Sequence, residues 1–84
     1  MKVIEVNIEL AEQLSTQQKN SFWDNFISRV IEANNLQYGG LGHGFVESGG
    51  EFEINESHKH KIVAWLKDQK NVKKYDLQII NDGT

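Results

Sequence analysis

A double column of apolar side chains between positions 22 and 31 narrows what this chain can become. Phe22, Phe26 and Val30 form one row and Trp23, Ile27 and Ile31 the other, each at spacing four. A helix brings both rows to one face, whereas a strand would divide them between two. A helix with so broad an apolar face needs a broad apolar surface to cover it, and the flanking segments read as one. Upstream, Ile4, Val6, Ile8 and Leu10 alternate with Glu5, Asn7 and Glu9, the period of a strand with one wet face. Between the two, Ser15 opens Ser-Thr-Gln-Gln. There Ser15 can cap the next turn while Gln18 reaches back to it. The helix is expected to run to about Ala33, with Asn34-Asn35 as its stop.

The middle of the chain, LQYGGLGHGFVESGGEFEI, holds six of the seven glycines and reads as two short strands with bends and a turn. Gly39, Gly40, Gly42 and Gly44 indicate a bulge or a close backbone approach. Ser48-Gly49-Gly50 is expected to turn the chain into a strand Glu51-Phe52-Glu53-Ile54, with Phe52 and Ile54 inward. Asn55 caps a second helix whose buried stripe is Ile62, Val63, Trp65 and Leu66, and Asn71 closes it. Tyr75, Leu77 and Ile79 alternate with Asp76 and Gln78 as a last strand. The order β-α-β-β-α-β folds most simply as a split βαβ, ferredoxin-like sandwich of class α+β, four strands with both helices on one face. Residues 1–84 are expected to form a single domain around one core, which Trp23 and Trp65 share.

Composition excludes several chemistries. With no cysteine, disulfides, thiolate catalysis and cysteine-ligated metals are ruled out. No apolar run is long enough for a membrane span or a signal peptide, so the expected location is cytoplasmic. Charge is uneven along the chain. Up to Glu56 there are three basic against nine acidic residues, and beyond it six lysines against three aspartates. An acidic chain binds nucleic acid poorly without a local basic surface, and Lys59, Lys61, Lys67, Lys70, Lys73 and Lys74 can supply one. Alternatively, these lysines solvate a helix face and its exit.

No constellation with catalytic spacing stands out. The run GGLGHG lacks the phosphate-loop pattern and enters a strand, not a helix, so it reads as a structural irregularity. His58 and His60 lie two apart near a helix start, where side chains diverge, and neither forms an i, i+4 pair with His43 or with the other. No metal, cofactor or small-molecule substrate is therefore expected. Glu5, Glu9, Glu51 and Glu53 are expected on the outer face of neighbouring strands, an acidic surface suited to a basic partner.

The succession Asp24-Asn25-Phe26-Ile27, then Val30-Ile31-Glu32 and Leu36, a glycine-rich strand, and His58 with Ile62, Val63, Trp65 and Leu66 resembles the YggL family of small bacterial proteins. The resemblance runs from about Ile4 to Lys70 and implies binding to the large (50S) ribosomal subunit. Fuller members carry an Arg/Lys-rich segment before the first strand, and this chain, entering its strand at Lys2, is expected to lack that basic arm. The function implied is a non-enzymatic accessory protein; the resemblance supplies packing positions and no site residue, and the charge pattern alone makes Lys59, Lys67, Lys70, Lys73 and Lys74 the expected contact with the ribosome. The alternative is a protein-interaction module or homodimer that uses the acidic sheet face or a sheet edge.

Overall fold

The computed structural model describes residues 2–81. Its elements follow the expected order: β1 (Lys2–Leu10), α1 (Thr16–Phe26), β2 (Leu36–Gly40), β3 (His43–Ser48), α2 (Glu56–Lys67) and β4 (Val72–Asn81). The four strands form one antiparallel sheet in the order β2-β3-β1-β4. Each helix thus connects two strands separated by a third, the split βαβ arrangement.

Side-chain parity on β1 decides which face the helices take. Ile4, Val6 and Ile8 point to one face and pack with Phe22, Phe26, Val30 and Ile31 from the first helical segment and with Ile62 and Leu66 from α2. Leu36, Val46 and Leu77 bring the other three strands into the same core. The opposite face presents Glu5, Asn7 and Glu9, and is wet except at Val3, which is 1% exposed beside its cross-strand neighbour Ile80.

The first helix begins with the expected capping box: Ser15 Oγ accepts from the Gln18 amide at 3.1 Å, and the Ser15 amide donates to Gln18 Oε1 at 2.8 Å. Past Phe26 the helix widens into a π turn over Ile27–Ile31, where the Glu32 amide donates to the Ile27 carbonyl. The wider turn lets Val30 and Ile31 both stay buried while Ile27 is half-buried. A 3-10 turn follows, and Asn35 ends it in the left-handed region at φ 56°, the conformation that asparagine tolerates best after glycine.

Four expectations need correction. The strand placed at residues 51–54 is an irregular connection, and the hairpin turn lies at Leu41-Gly42, not at residues 48–50. Gly40, at φ +112°, turns the chain back so that Gly40 pairs with Gly44. The Gly49 amide then donates to the Asn35 carbonyl at 2.8 Å, prolonging the β2–β3 ladder. Ser48 Oγ bonds the Gly50 amide and carbonyl and bends the chain out of the sheet. As a result Ile54 is buried, but Phe52 is 36% exposed and stacks on His58.

The acidic face changes for the same reason. Glu51 and Glu53 belong to no strand, and Glu53 pairs with Lys2 at 3.6 Å. Third, α2 ends at Lys67 with Asp68 as its cap, ahead of Asn71, whose carbonyl instead accepts from the Ala11 amide. Fourth, Trp23 and Trp65 are half-buried rims of the core, not its centre. Phe26 holds that position, with both tryptophans, Phe22 and Tyr38 around it.

Candidate functional site

The lysines are placed chiefly by the buried stripe of α2. Asn55 fixes where the helix starts: its Oδ1 accepts from the Ser57 and His58 amides, while its own amide donates to His58 Nδ1. With Ile62 and Leu66 buried and Trp65 turned toward Phe22 and Phe26, the flank away from α1 carries Lys59, Val63 and Lys67 at spacing four. Lys59 and Lys67 are two turns apart, about 12 Å along the axis. The Lys59 stem is partly covered and Lys67 is exposed, so both ammonium groups can reach water.

Lys70 and Lys73 come together at the exit from α2, where they line a shallow depression with Ala11, Glu12, Gln13 and Val72. Because β4 begins at Val72, Lys73 and Lys74 are strand residues and not part of a loose exit. The β1–β4 pairing skips Lys73, since Leu10 pairs with Val72 and Glu9 with Lys74. Freed from the ladder, Lys73 reaches Glu9 at 3.9 Å and Glu12 at 3.6 Å. Lys74 lies on the outer sheet face opposite Glu9. The five candidates thus divide into an α2 flank and exit with Lys59, Lys67 and Lys70, an ion-paired Lys73 beside them, and Lys74 on the other face. Among the described residues Lys59, Lys67, Lys70 and Lys74 have no carboxylate within 4.0 Å.

The histidines go to separate places. His43 Nε2 lies 3.1 Å from Glu5 Oε2 on the outer sheet face, His58 completes the cap of α2, and His60 lies 3.9 Å from Glu56. Among the described residues no group of three His, Asp or Glu side chains converges as metal ligands do. A depression of about 480 Å³ opens between the β3 hairpin and β4, lined by Asn7, Glu9, His43, Lys74, Tyr75 and Asp76 among others. Its polar groups belong to exposed side chains, and none forms the nucleophile and base pair that acyl or phosphoryl transfer needs.

The glycine hairpin has a structural task. A Cβ on Gly44 would collide with the Gly39 carbonyl oxygen and stand 2.8 Å from the Tyr38 hydroxyl. That close approach lets Tyr38 lie over the hairpin and donate to the Leu41 carbonyl. Burial pushes the Tyr38 hydroxyl up to about 12 from its ordinary value of 10.0.

Sequence reasoning missed one exposed feature of the sheet. Phe45 stands on the outer face, 39% exposed, opposite Glu5 and next to the His43 ring. The signal was the alternation Gly44, Phe45, Val46, Glu47, legible once the turn is placed at Leu41-Gly42.

Among the described residues no helix is long and apolar enough to cross a membrane. A family model described as YggL 50S ribosome-binding protein matches residues 4–82. No curated protein and no solved structure matches the chain.

Proposed function

Because the chain belongs to the family of YggL 50S ribosome-binding proteins, we propose that it is a non-catalytic, cytoplasmic accessory protein acting as a single domain on the large ribosomal subunit. The observation that carries this reading is the family match, which covers nearly the whole chain and therefore the fold's own packing positions. The contact we propose is the α2 flank and its exit, with Lys59, Lys67 and Lys70 as free cations and Lys73 beside them. Lys74, on the other sheet face, would touch the same partner only if that partner wraps the β4 side.

Phosphate recognition suits this surface. Lysines on flexible stems neutralise backbone charge without reading sequence, and each phosphate they meet releases condensed counterions. The outer sheet face is a poorer RNA platform. Among the described residues Phe45 is its one exposed aromatic ring besides His43, and Glu5, Glu9, Glu47 and Asp76 share the face. Those carboxylates repel phosphate.

The test is capture from lysate by the tagged full chain, with and without nuclease, beside a Lys59→Gln, Lys67→Gln, Lys70→Gln variant. Large-subunit rRNA and proteins should come down together and disappear with nuclease. The triple change should flatten the salt dependence of capture, by up to about 0.9 in log–log slope for each phosphate no longer neutralised. Unchanged capture by the variant moves the contact off α2. Capture with no ribosomal component overturns the functional reading.

A further inference from the structure

Among the described residues the sheet ends on β4, nine of whose ten residues pair with β1 and none with any other strand. Its other side offers a row of backbone N–H and C=O groups to any approaching strand, an edge that monomeric proteins usually shorten, bulge or cover. Here the irregularity is confined to the strand's start, where pairing skips Lys73. From Lys74 to Asn81 the register is unbroken, and the chain has no proline to interrupt it.

The side chains along this edge are self-complementary about one residue. When two copies of a strand pair antiparallel around a two-fold axis normal to the sheet, residues equidistant from the axis face each other. With the axis on Tyr75, Lys74 faces Asp76 of the second copy, Asp76 faces Lys74, and Tyr75 faces itself. Neighbouring registers are worse. An axis on Lys73, Lys74 or Asp76 sets like charges opposite, and an axis on Leu77 leaves Lys74 facing Ile80 and Asp76 facing Gln78. Lys74 and Asp76 are exposed and have no ion pair among the described residues, and Tyr75 is 36% exposed on the helix-bearing face.

We propose that β4 pairs with β4 of a second copy, antiparallel and centred on Tyr75, joining two four-stranded sheets into one across a two-fold dimer. Lys73, skipped in the pairing with β1, then faces Leu77, so main-chain bonds hold the edge around Lys74–Asp76 and the reciprocal Lys74 and Asp76 pairs set its register. This goes beyond ribosome binding and uses none of Lys59, Lys67 or Lys70.

The test exploits the absence of cysteine. In a Tyr75→Cys variant the only thiols able to meet belong to two copies. Directly opposed antiparallel residues have Cα atoms about 4.5–5.5 Å apart, inside the range a disulfide spans. Mild oxidation of the full chain should therefore give a covalent dimer on a non-reducing gel. A Gln78→Cys control should not cross-link, since in this register the two copies of residue 78 lie about 20 Å apart. By sedimentation equilibrium, Lys74→Asp or Asp76→Lys alone should raise the dimer dissociation constant at least tenfold, and the double exchange should recover it. Melting curves of each variant separate dissociation from unfolding. A monomeric mass up to millimolar concentration, cross-linking at Gln78→Cys equal to that at Tyr75→Cys, or a double exchange as weak as either single change would each overturn the proposal.

Discussion

Replacing Phe26 with alanine removes the side chain on which both layers of the fold converge. Phe26 is 0% exposed, and its ring centroid lies 5.2 Å from Tyr38, 5.8 Å from Trp23 and from Trp65, and 6.3 Å from Phe22. Truncating a buried phenylalanine costs about 3–5 kcal/mol through forfeited transfer energy and the cavity left behind. The aromatic pairs it breaks, about 0.5–1.5 kcal/mol each, favour the upper end. Small domains carry about 0.05–0.15 kcal/mol of stability per residue, or roughly 4–13 kcal/mol for this length, so at the lower end of that range the variant would be barely folded. Phe26→Leu, which keeps most of the volume, should lose less than about 1.5 kcal/mol. Urea unfolding followed by tryptophan fluorescence measures both; with an m-value of about 1 kcal/mol/M the leucine variant shifts the midpoint by less than about 1.5 M. Trp65→Ala should cost less than Phe26→Ala, about 2–3 kcal/mol, because part of its ring is already in water. A Phe26→Ala loss under about 1 kcal/mol, or a larger loss for Trp65→Ala, would refute the assignment of the core's centre.

Gly44→Ala should destabilise by about 1–3 kcal/mol, since its Cβ would meet the Gly39 carbonyl and the hairpin would have to shift; a neutral change in urea midpoint would contradict the close approach. Asn55→Ala removes the acceptor for the Ser57 and His58 amides and should cost about 1 kcal/mol by the same assay, against a few tenths for Asn55→Gly. Tyr38 makes alkaline stability testable. The folded chain holds its phenolic proton where the unfolded chain loses it, so this contribution is full below pH about 10 and vanishes as pH rises toward 12. Comparing urea midpoints across that window, Tyr38→Phe should show a shallower fall than the parent; equal slopes would mean that Tyr38 ionises as it does in the unfolded chain.

The helices and the first and last strands were legible because each carries a local signal that agrees with its tertiary surroundings. The Ser15 and Asn55 caps, the double column from Phe22 to Ile31, and the alternation in β1 and β4 all describe groups that the core or the backbone must satisfy. The glycine-rich middle was not, because glycine removes the side chains from which period two is read. Two glycine clusters, at residues 39–44 and at Gly49-Gly50, compete for the same turn. The choice rests on long-range bonds that no local pattern contains: the Gly49 amide to Asn35, and the Ile8 amide to the Gly42 carbonyl at 2.7 Å. The lysine surface was half legible. Helical spacing groups Lys59 with Lys67, but the ion pairs of Lys73 depend on the skipped residue in β4 that brings it to Glu9 and Glu12.

A salt series with purified subunits tests whether this chain binds the large ribosomal subunit through its lysines. The full chain is sedimented with isolated 50S or 30S particles from low to near-physiological ionic strength. The expected result is co-sedimentation with 50S and not 30S, strongest at low salt and falling linearly in log–log form as counterion release requires. Failure to sediment with 50S at the lowest salt, or equal binding to both subunits, would contradict it.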